Sequence, residues 1–110
     1  MEIQERRKHK RIVLDFPVDY ASERFFLLRN GKNISAGGMF IQTEVVDPPG
    51  AKTKLEFYFL DLSDKICTEG MVACSSGEPI KVSEHEIRPA GMGIVFAGIA
   101  ERIKERIEKA

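Results

Sequence analysis

The sequence has few of the residues on which metal-bound or covalently linked folds depend. Its 110 residues include two cysteines, two histidines and no tryptophan, and no apolar run is longer than a few residues. Two cysteines and two histidines at these positions offer no four-ligand zinc spacing, and no segment could span a bilayer. There is also no Ser-His-Asp arrangement and no phosphate-loop motif. We therefore predict neither catalytic residues nor metal ligands, and we expect a protein that is not an enzyme.

Positive charge is concentrated near the N-terminus instead of being in excess. The chain has 17 basic and 17 acidic residues, yet five of the basic ones lie in residues 6–11. A general nucleic-acid binder usually has a broad basic excess, so a nucleic-acid polymer is not expected as a partner. A local cluster suits a small anionic ligand better. Because residues 1–11 lack the apolar segment of a signal peptide, we expect a cytoplasmic protein without membrane insertion.

Most of the chain alternates apolar and polar residues, as antiparallel strands with one buried face do. In residues 12–20 every even position is apolar. Turns rich in glycine, proline, serine and aspartate separate the other candidates. Further strands are predicted over residues 24–34, 39–43, 53–60, 66–75 and 86–96. Six or so short strands at near-regular spacing predict a small β-barrel.

The two cysteines fall in one of these predicted strands. Cys67 and Cys74 are separated by seven positions, so their side chains should point to opposite faces and should not pair with each other. We expect both to be small, reduced residues that fill the core.

The tail changes to a helical period. Ile99, Ile103 and Ile107 are four residues apart, and Glu105 and Lys109 form an i, i+4 charge pair. This pattern predicts an amphipathic helix of about three turns, which is too short to be stable alone and must dock on something. It could close the barrel as a lid or form a contact with a partner, so a monomer and a homodimer both remain open.

Two short motifs carry the chemistry. An R-x-x-x-R motif, formed by Arg7 and Arg11, directly precedes the first predicted strand, and an N-x-S-x-x-G motif, formed by Asn33, Ser35 and Gly38, lies between the second and third. Alone, the first is typical of a solvated tail and the second of a turn. In this order and spacing, with a glycine-rich last strand and a helix after it, they resemble the PilZ domain family. The resemblance covers nearly the whole chain.

The resemblance implies a mostly β fold, a six-stranded antiparallel PilZ-like β-barrel with a C-terminal α-helix, that binds cyclic di-GMP and needs no cofactor. Residues 1–11 would then be a flexible basic arm and residues 12–110 a single domain. In the family, the position that Arg6 occupies bears on whether one ligand or a stacked pair is held. The implied ligand-binding residues are Arg6, Arg7, Arg11, Asn33, Ser35, Gly37 and Gly38.

The residue types suit such a ligand, which presents two phosphates and two guanines. The arginine fork matches both a phosphate and the O6/N7 edge of guanine. On an extended arm Arg7 and Arg11 could lie up to about 14 Å apart, enough to grip a compact dinucleotide from two sides. Asn33 and Ser35 share one face of an extended segment because they are two residues apart, and the glycines that follow let the backbone approach a ligand.

The preferred hypothesis is a receptor that orders its N-terminal arm around cyclic di-GMP and so signals to an unidentified downstream protein. The alternative is a protein-interaction adaptor that has the same fold and binds no nucleotide; the presence of the motif residues favours the receptor. A barrel that binds RNA or single-stranded DNA would need exposed aromatic residues among basic ones, whereas most aromatic residues here lie in alternating strand patterns.

Overall fold

The computed structural model describes residues 12–58, 65–98, 104–105 and 107–108. Within them no helix is long and apolar enough to cross a membrane. The described strands, in chain order, are β1 (Ile12–Ala21), β2 (Phe26–Ser35), β3 (Gly38–Gln42), β4 (Lys52–Phe57), β5 (Ile66–Ser76), β6 (Ile80–Ser83), β7 (Glu86–Arg88) and β8 (Gly91–Phe96).

The first strand follows the alternation of the sequence. In β1 the side chains of Phe16, Val18 and Tyr20 are buried, because every second side chain of a strand points to the same face. β4 repeats the pattern with Thr53, Leu55 and Phe57. The period-two prediction is confirmed for both strands.

Six strands close into an antiparallel barrel in the order β1-β2-β3-β8-β5-β4, with β4 returning to β1. Closure gives every barrel strand a paired neighbour on both sides, so the barrel has no edge strand. The inward side chains form one apolar core that includes Val18, Tyr20, Ile34, Ile41, Leu55, Phe57, Val72, Met92 and Ile94. The predicted six-stranded antiparallel barrel is confirmed.

Several predictions fall on residues that the structure does not describe. The N-terminal arm, the end of the strand predicted over residues 53–60 and most of the predicted C-terminal helix lie outside the described residues. The helix therefore stays a prediction. Of its isoleucine stripe, Ile107 is described, and its side chain is fully buried in the core of the barrel.

The prediction of one strand over residues 86–96 is wrong. Its first part is β7, which pairs with β6 in a separate two-stranded sheet, and its second part is β8, which belongs to the barrel. Pro89 lies between them and has no N–H to donate to a ladder. The β6–β7 hairpin thus leaves the barrel after β5 and returns to it at β8.

The prediction that both cysteines fill the core is also wrong. Cys67 and Cys74 are free and exposed. Cys67 lies on the outward face of β5, and a register shift between Val72 and Cys74 breaks the alternation further along that strand. A bulge of this kind places an extra residue on one strand, so parity along the sequence no longer tells which face a side chain takes.

Candidate functional site

The N-x-S-x-x-G motif forms the end of β2, a tight turn and the start of β3. Ser35 and Gly38 are paired across this hairpin, and the Ser35 hydroxyl accepts a hydrogen bond from the Gly37 N–H at 3.2 Å. Serine side chains commonly stabilise turns in this way. The Ser35 side chain is buried, and its hydroxyl keeps its own hydrogen as a donor.

Gly38 has a structural reason to be glycine. A Cβ added here would overlap the backbone carbonyl oxygen of Ile94 on the neighbouring β8, with which Gly38 and Met39 are in register. Backbone atoms in a closed barrel cannot move aside cheaply. The close approach of β3 and β8 therefore accounts for this glycine whether or not a ligand is present.

The predicted ligand-binding arginines, Arg7 and Arg11 of the motif and Arg6 before it, lie outside the described residues. The point where the arm joins the barrel is described, however. In the β1–β2 ladder Ile12 pairs with Ile34 and Val13 pairs with Asn33. The chain therefore enters the barrel directly beside the N-x-S-x-x-G motif.

A surface groove of about 710 Å³ joins these features, a volume within the usual range for small-molecule sites. The structure brings all four described candidate residues to it, together with Val13 at the arm junction, Gly93 and Ile94 of β8, and the end of the β6–β7 hairpin. The candidate residues that line it are Asn33, Ser35, Gly37 and Gly38.

Three charged side chains line the same groove: Lys32, Glu86 and Arg88. Lys32 forms a surface ion pair with Asp15, with 2.8 Å between Nζ and Oδ1. Two cations and one anion give the described lining of the groove a formal charge of +1. Glu86 and Arg88 were not predicted from the sequence, since neither belongs to a motif and they lie about fifty residues along the chain from Asn33.

Two other surface cavities are less suited to an anion. One of about 650 Å³ lies beside the turn after β1, and one of about 940 Å³ lies beside β2 and residues 77–79. Each is lined by two basic and two acidic residues, and neither contains a residue of the motifs. Within the described part of the chain, no group of three or more His, Cys, Asp or Glu side chains could hold a metal ion.

Three solved structures with a similar fold share 13–20% sequence identity with this chain. The chain is similar to the Bacillus subtilis inhibitor of motility MotI/DgrA, with a TM-score of 0.72, 20% identity, and coverage of 96% of this chain and 49% of that one. It thus spans about half the length of that protein. It is also similar to the PilZ domain of Escherichia coli YcgR, solved with c-di-GMP (TM-score 0.69, 14% identity, 96% and 88% covered).

A third similar structure is the PilZ domain of CeSA from a cellulose-synthesizing bacterium, with a TM-score of 0.57, 13% identity and 91% of each chain covered. No curated protein matches the sequence. The family model described as "PilZ domain" matches residues 5–110, which is nearly the whole sequence. The chain therefore belongs to the PilZ domain family.

Proposed function

We propose that this domain is a cyclic di-GMP receptor whose ligand lies in the groove beside the β2–β3 turn. In this proposal Arg6, Arg7 and Arg11 reach the ligand from the arm, and the barrel supplies Asn33, Ser35, Gly37 and Gly38. The domain acts by binding, as PilZ domains generally do, and not by catalysis.

The observation that carries the proposal is the pairing of Val13 with Asn33. Partners in an antiparallel ladder have Cα atoms about 4.5–5.5 Å apart, and each residue of chain adds at most about 3.6 Å. The Cα atom of Arg11, two residues before Val13, must then lie within about 13 Å of that of Asn33. Covalent connection thus keeps the second arginine of the motif near the groove.

The chemistry of the groove supports the same ligand. Arginine donates two parallel hydrogen bonds to a phosphate or to guanine O6 and N7. The Asn33 amide offers both a donor and acceptors to a base edge, and the Ser35 hydroxyl offers a donor. The PilZ domain of YcgR, which shares this fold, was solved with c-di-GMP.

Signalling would follow from the arm. Residues 1–11 would be mobile without ligand and would wrap the nucleotide when it binds, creating or exposing a surface for a downstream protein. Amide hydrogen exchange tests this step: the arm amides should exchange quickly in the free protein and slowly in the complex. Protection that is already present without ligand would contradict the ordering of the arm.

Energetics indicate that several groups must act together. Micromolar affinity corresponds to about 8 kcal/mol, while one bidentate contact to guanine contributes roughly 1–3 kcal/mol of discrimination. The arginines therefore cannot supply the affinity alone, and loss of any one of them should remove much of it.

Calorimetric titration with cyclic di-GMP, GTP and cyclic AMP tests the proposal. The wild-type protein should bind cyclic di-GMP but neither GTP nor cyclic AMP. Arg7→Ala should weaken the binding of cyclic di-GMP at least tenfold. Lys10→Ala removes the same charge from the same arm outside the motif and should have a much smaller effect. No heat with cyclic di-GMP for the wild type would overturn the proposal.

A nucleotide-independent adaptor is the second candidate. It is favoured by the exposed apolar side chains of the β6–β7 hairpin, Ile80, Val82 and Ile87, since exposed apolar surface often marks protein contacts. An adaptor would bind its partner equally well with and without cyclic di-GMP, whereas the receptor's binding would depend on it.

A further inference from the structure

The β6–β7 hairpin stands beside the proposed ligand groove without being part of the barrel. It is inserted between Ser76 of β5 and Gly91 of β8, which pair with each other at the barrel rim. All seven residues of its two strands are exposed. A two-stranded sheet is only marginally stable by itself, and the exposed strands of this hairpin do not support the core. We therefore looked for a role of the hairpin in ligand binding.

One face of this hairpin meets the groove. Glu86 and Arg88 are two residues apart on β7 and thus share a face, and both line the groove, whereas Ile87 between them does not. Lys81 is the cross-strand partner of Ile87, and directly paired residues lie on the same face. Lys81 therefore belongs to the face turned away from the groove.

The two charges on the groove face do not neutralise each other. Among the described residues neither Glu86 nor Arg88 forms an ion pair or a side-chain hydrogen bond, although Lys32 nearby is paired with Asp15. A guanidinium and a carboxylate thus line one groove with their hydrogen-bonding groups available to a ligand.

Guanine matches such a pair. It presents acceptors at O6 and N7, which fit the arginine fork, and donors at N1 and N2, which fit a carboxylate. Residues two apart on a strand have Cα atoms about 7 Å apart, a separation that allows their side chains to reach different edges of one base. Adenine offers N7 beside a donor amino group, so it cannot accept both arginine hydrogen bonds.

We infer that the β6–β7 hairpin reads a guanine of the ligand, with Arg88 donating to O6 and N7 and Glu86 accepting from N1–H and N2–H. This inference rests on the proposed function. It adds the β6–β7 hairpin to the two motifs as a third part of the protein that contacts the ligand. The ligand has two guanines, so the motif residues can hold one base while the hairpin holds the other.

Calorimetry with cyclic di-GMP and cyclic di-AMP tests the inference on the full chain. Arg88→Ala should weaken cyclic di-GMP binding about tenfold or more, and Lys81→Ala should change it less than about twofold. Both variants remove one positive charge from the same hairpin. An equal loss of cyclic di-GMP affinity in both would show only long-range attraction between the hairpin and the anionic ligand, and would overturn the direct contact of Arg88. Arg88→Lys keeps the positive charge but lacks the planar guanidinium that donates two parallel hydrogen bonds. Its affinity for cyclic di-GMP should therefore be as low as that of Arg88→Ala.

Glu86→Ala separates base recognition from repulsion. If the Glu86 carboxylate accepts hydrogen bonds from guanine, its removal should lower the affinity for cyclic di-GMP. The ratio of the affinities for cyclic di-GMP and cyclic di-AMP should then become smaller. A rise in affinity would show that Glu86 merely repels an anion, and this would overturn its assigned role. The melting temperatures of these exposed variants should match the wild type, which excludes a folding defect as the cause.

The two proposals fail differently. If wild type does not bind cyclic di-GMP, the receptor proposal is overturned and the inference with it. If wild type binds and Arg88→Ala binds equally well, only the role of the hairpin is overturned.

Discussion

Asp47 joins three parts of the barrel through one side chain and its backbone. Its Oδ2 accepts a hydrogen bond from the Tyr20 hydroxyl of β1, its Oδ1 lies 3.6 Å from the Arg24 Nε, and its N–H points at the Met92 sulfur of β8. The side chain is fully buried. Buried charges are retained when they are paired and hydrogen-bonded, and removal of one partner leaves the others uncompensated.

We expect Asp47→Ala to lower the free energy of unfolding by about 3 kcal/mol, since it leaves the buried Tyr20 hydroxyl without its acceptor. Urea denaturation measures the change. Glu56→Ala is the matched control, because it removes an exposed ion pair with Lys65 of 3.4 Å that should contribute less than about 1 kcal/mol. If the two variants lost equal amounts of unfolding free energy, the buried Asp47 carboxylate would contribute no more to stability than the exposed Glu56 carboxylate.

Tyr20 makes stability depend on alkaline pH. Burial, and then the hydrogen bond to Asp47, raise the pKa of its hydroxyl well above the ordinary value of 10.0. Above pH 10 the unfolded chain loses this proton while the folded one keeps it, so stability should fall by up to about 1.4 kcal/mol per pH unit. Unfolding measured from pH 8 to 11 should show a shallower fall for Tyr20→Phe; identical slopes would contradict this cause.

Asp47 also shows where residue-level prediction stops. The sequence Asp47-Pro48-Pro49-Gly50 predicts a loop correctly, because proline and glycine specify turn geometry locally. Whether a loop residue turns toward solvent or toward the core depends on partners such as Tyr20, 27 positions away. No local pattern carries that information.

At the scale of elements, prediction succeeded where one face of a strand is buried. β1 and β4 could be predicted because the core imposes alternation on them. The β6–β7 hairpin was missed because all its strand residues are exposed, and nothing imposes a pattern on an element without a buried face. For the same reason Glu86 and Arg88 were not predicted as groove residues, whereas Asn33 and Ser35 were predicted as ligand-binding residues from the resemblance of the two motifs to the PilZ family.

Exposure of the hairpin also predicts that the barrel does not need it. Replacement of residues 80–88 by a short Gly-Ser linker should change the free energy of unfolding by less than about 1 kcal/mol, because Ser76 and Gly91 already pair at its base. Ile34→Ala, in the fully buried core, should cost about 2–5 kcal/mol in the same urea assay. A similar loss for the linker variant would make the hairpin part of the barrel's support.

For the whole molecule, the core of the barrel and the candidate site lie apart. The six barrel strands surround a core of packed apolar side chains, and the groove with its charges lies on the outer surface near one end of β1. The net charge of the chain is zero, while the arm is strongly basic. Salt should therefore act on ligand binding more than on folding, since it screens the local attraction between arm and phosphates.

Thermal unfolding can measure both effects in one experiment. At a cyclic di-GMP concentration of about 100 times Kd, binding to the folded state alone adds about 2.7 kcal/mol, which should raise Tm by about 10 °C for a domain of this size. Because the ligand is anionic, this rise should shrink as salt increases, whereas the Tm of the free protein should change little. A tenfold weaker Arg7→Ala variant sees the same ligand concentration as only about ten times its Kd, so its rise in Tm should be at most about half that of the wild type. A rise of equal size in Arg7→Ala, or one that salt leaves unchanged, would contradict binding through the basic arm.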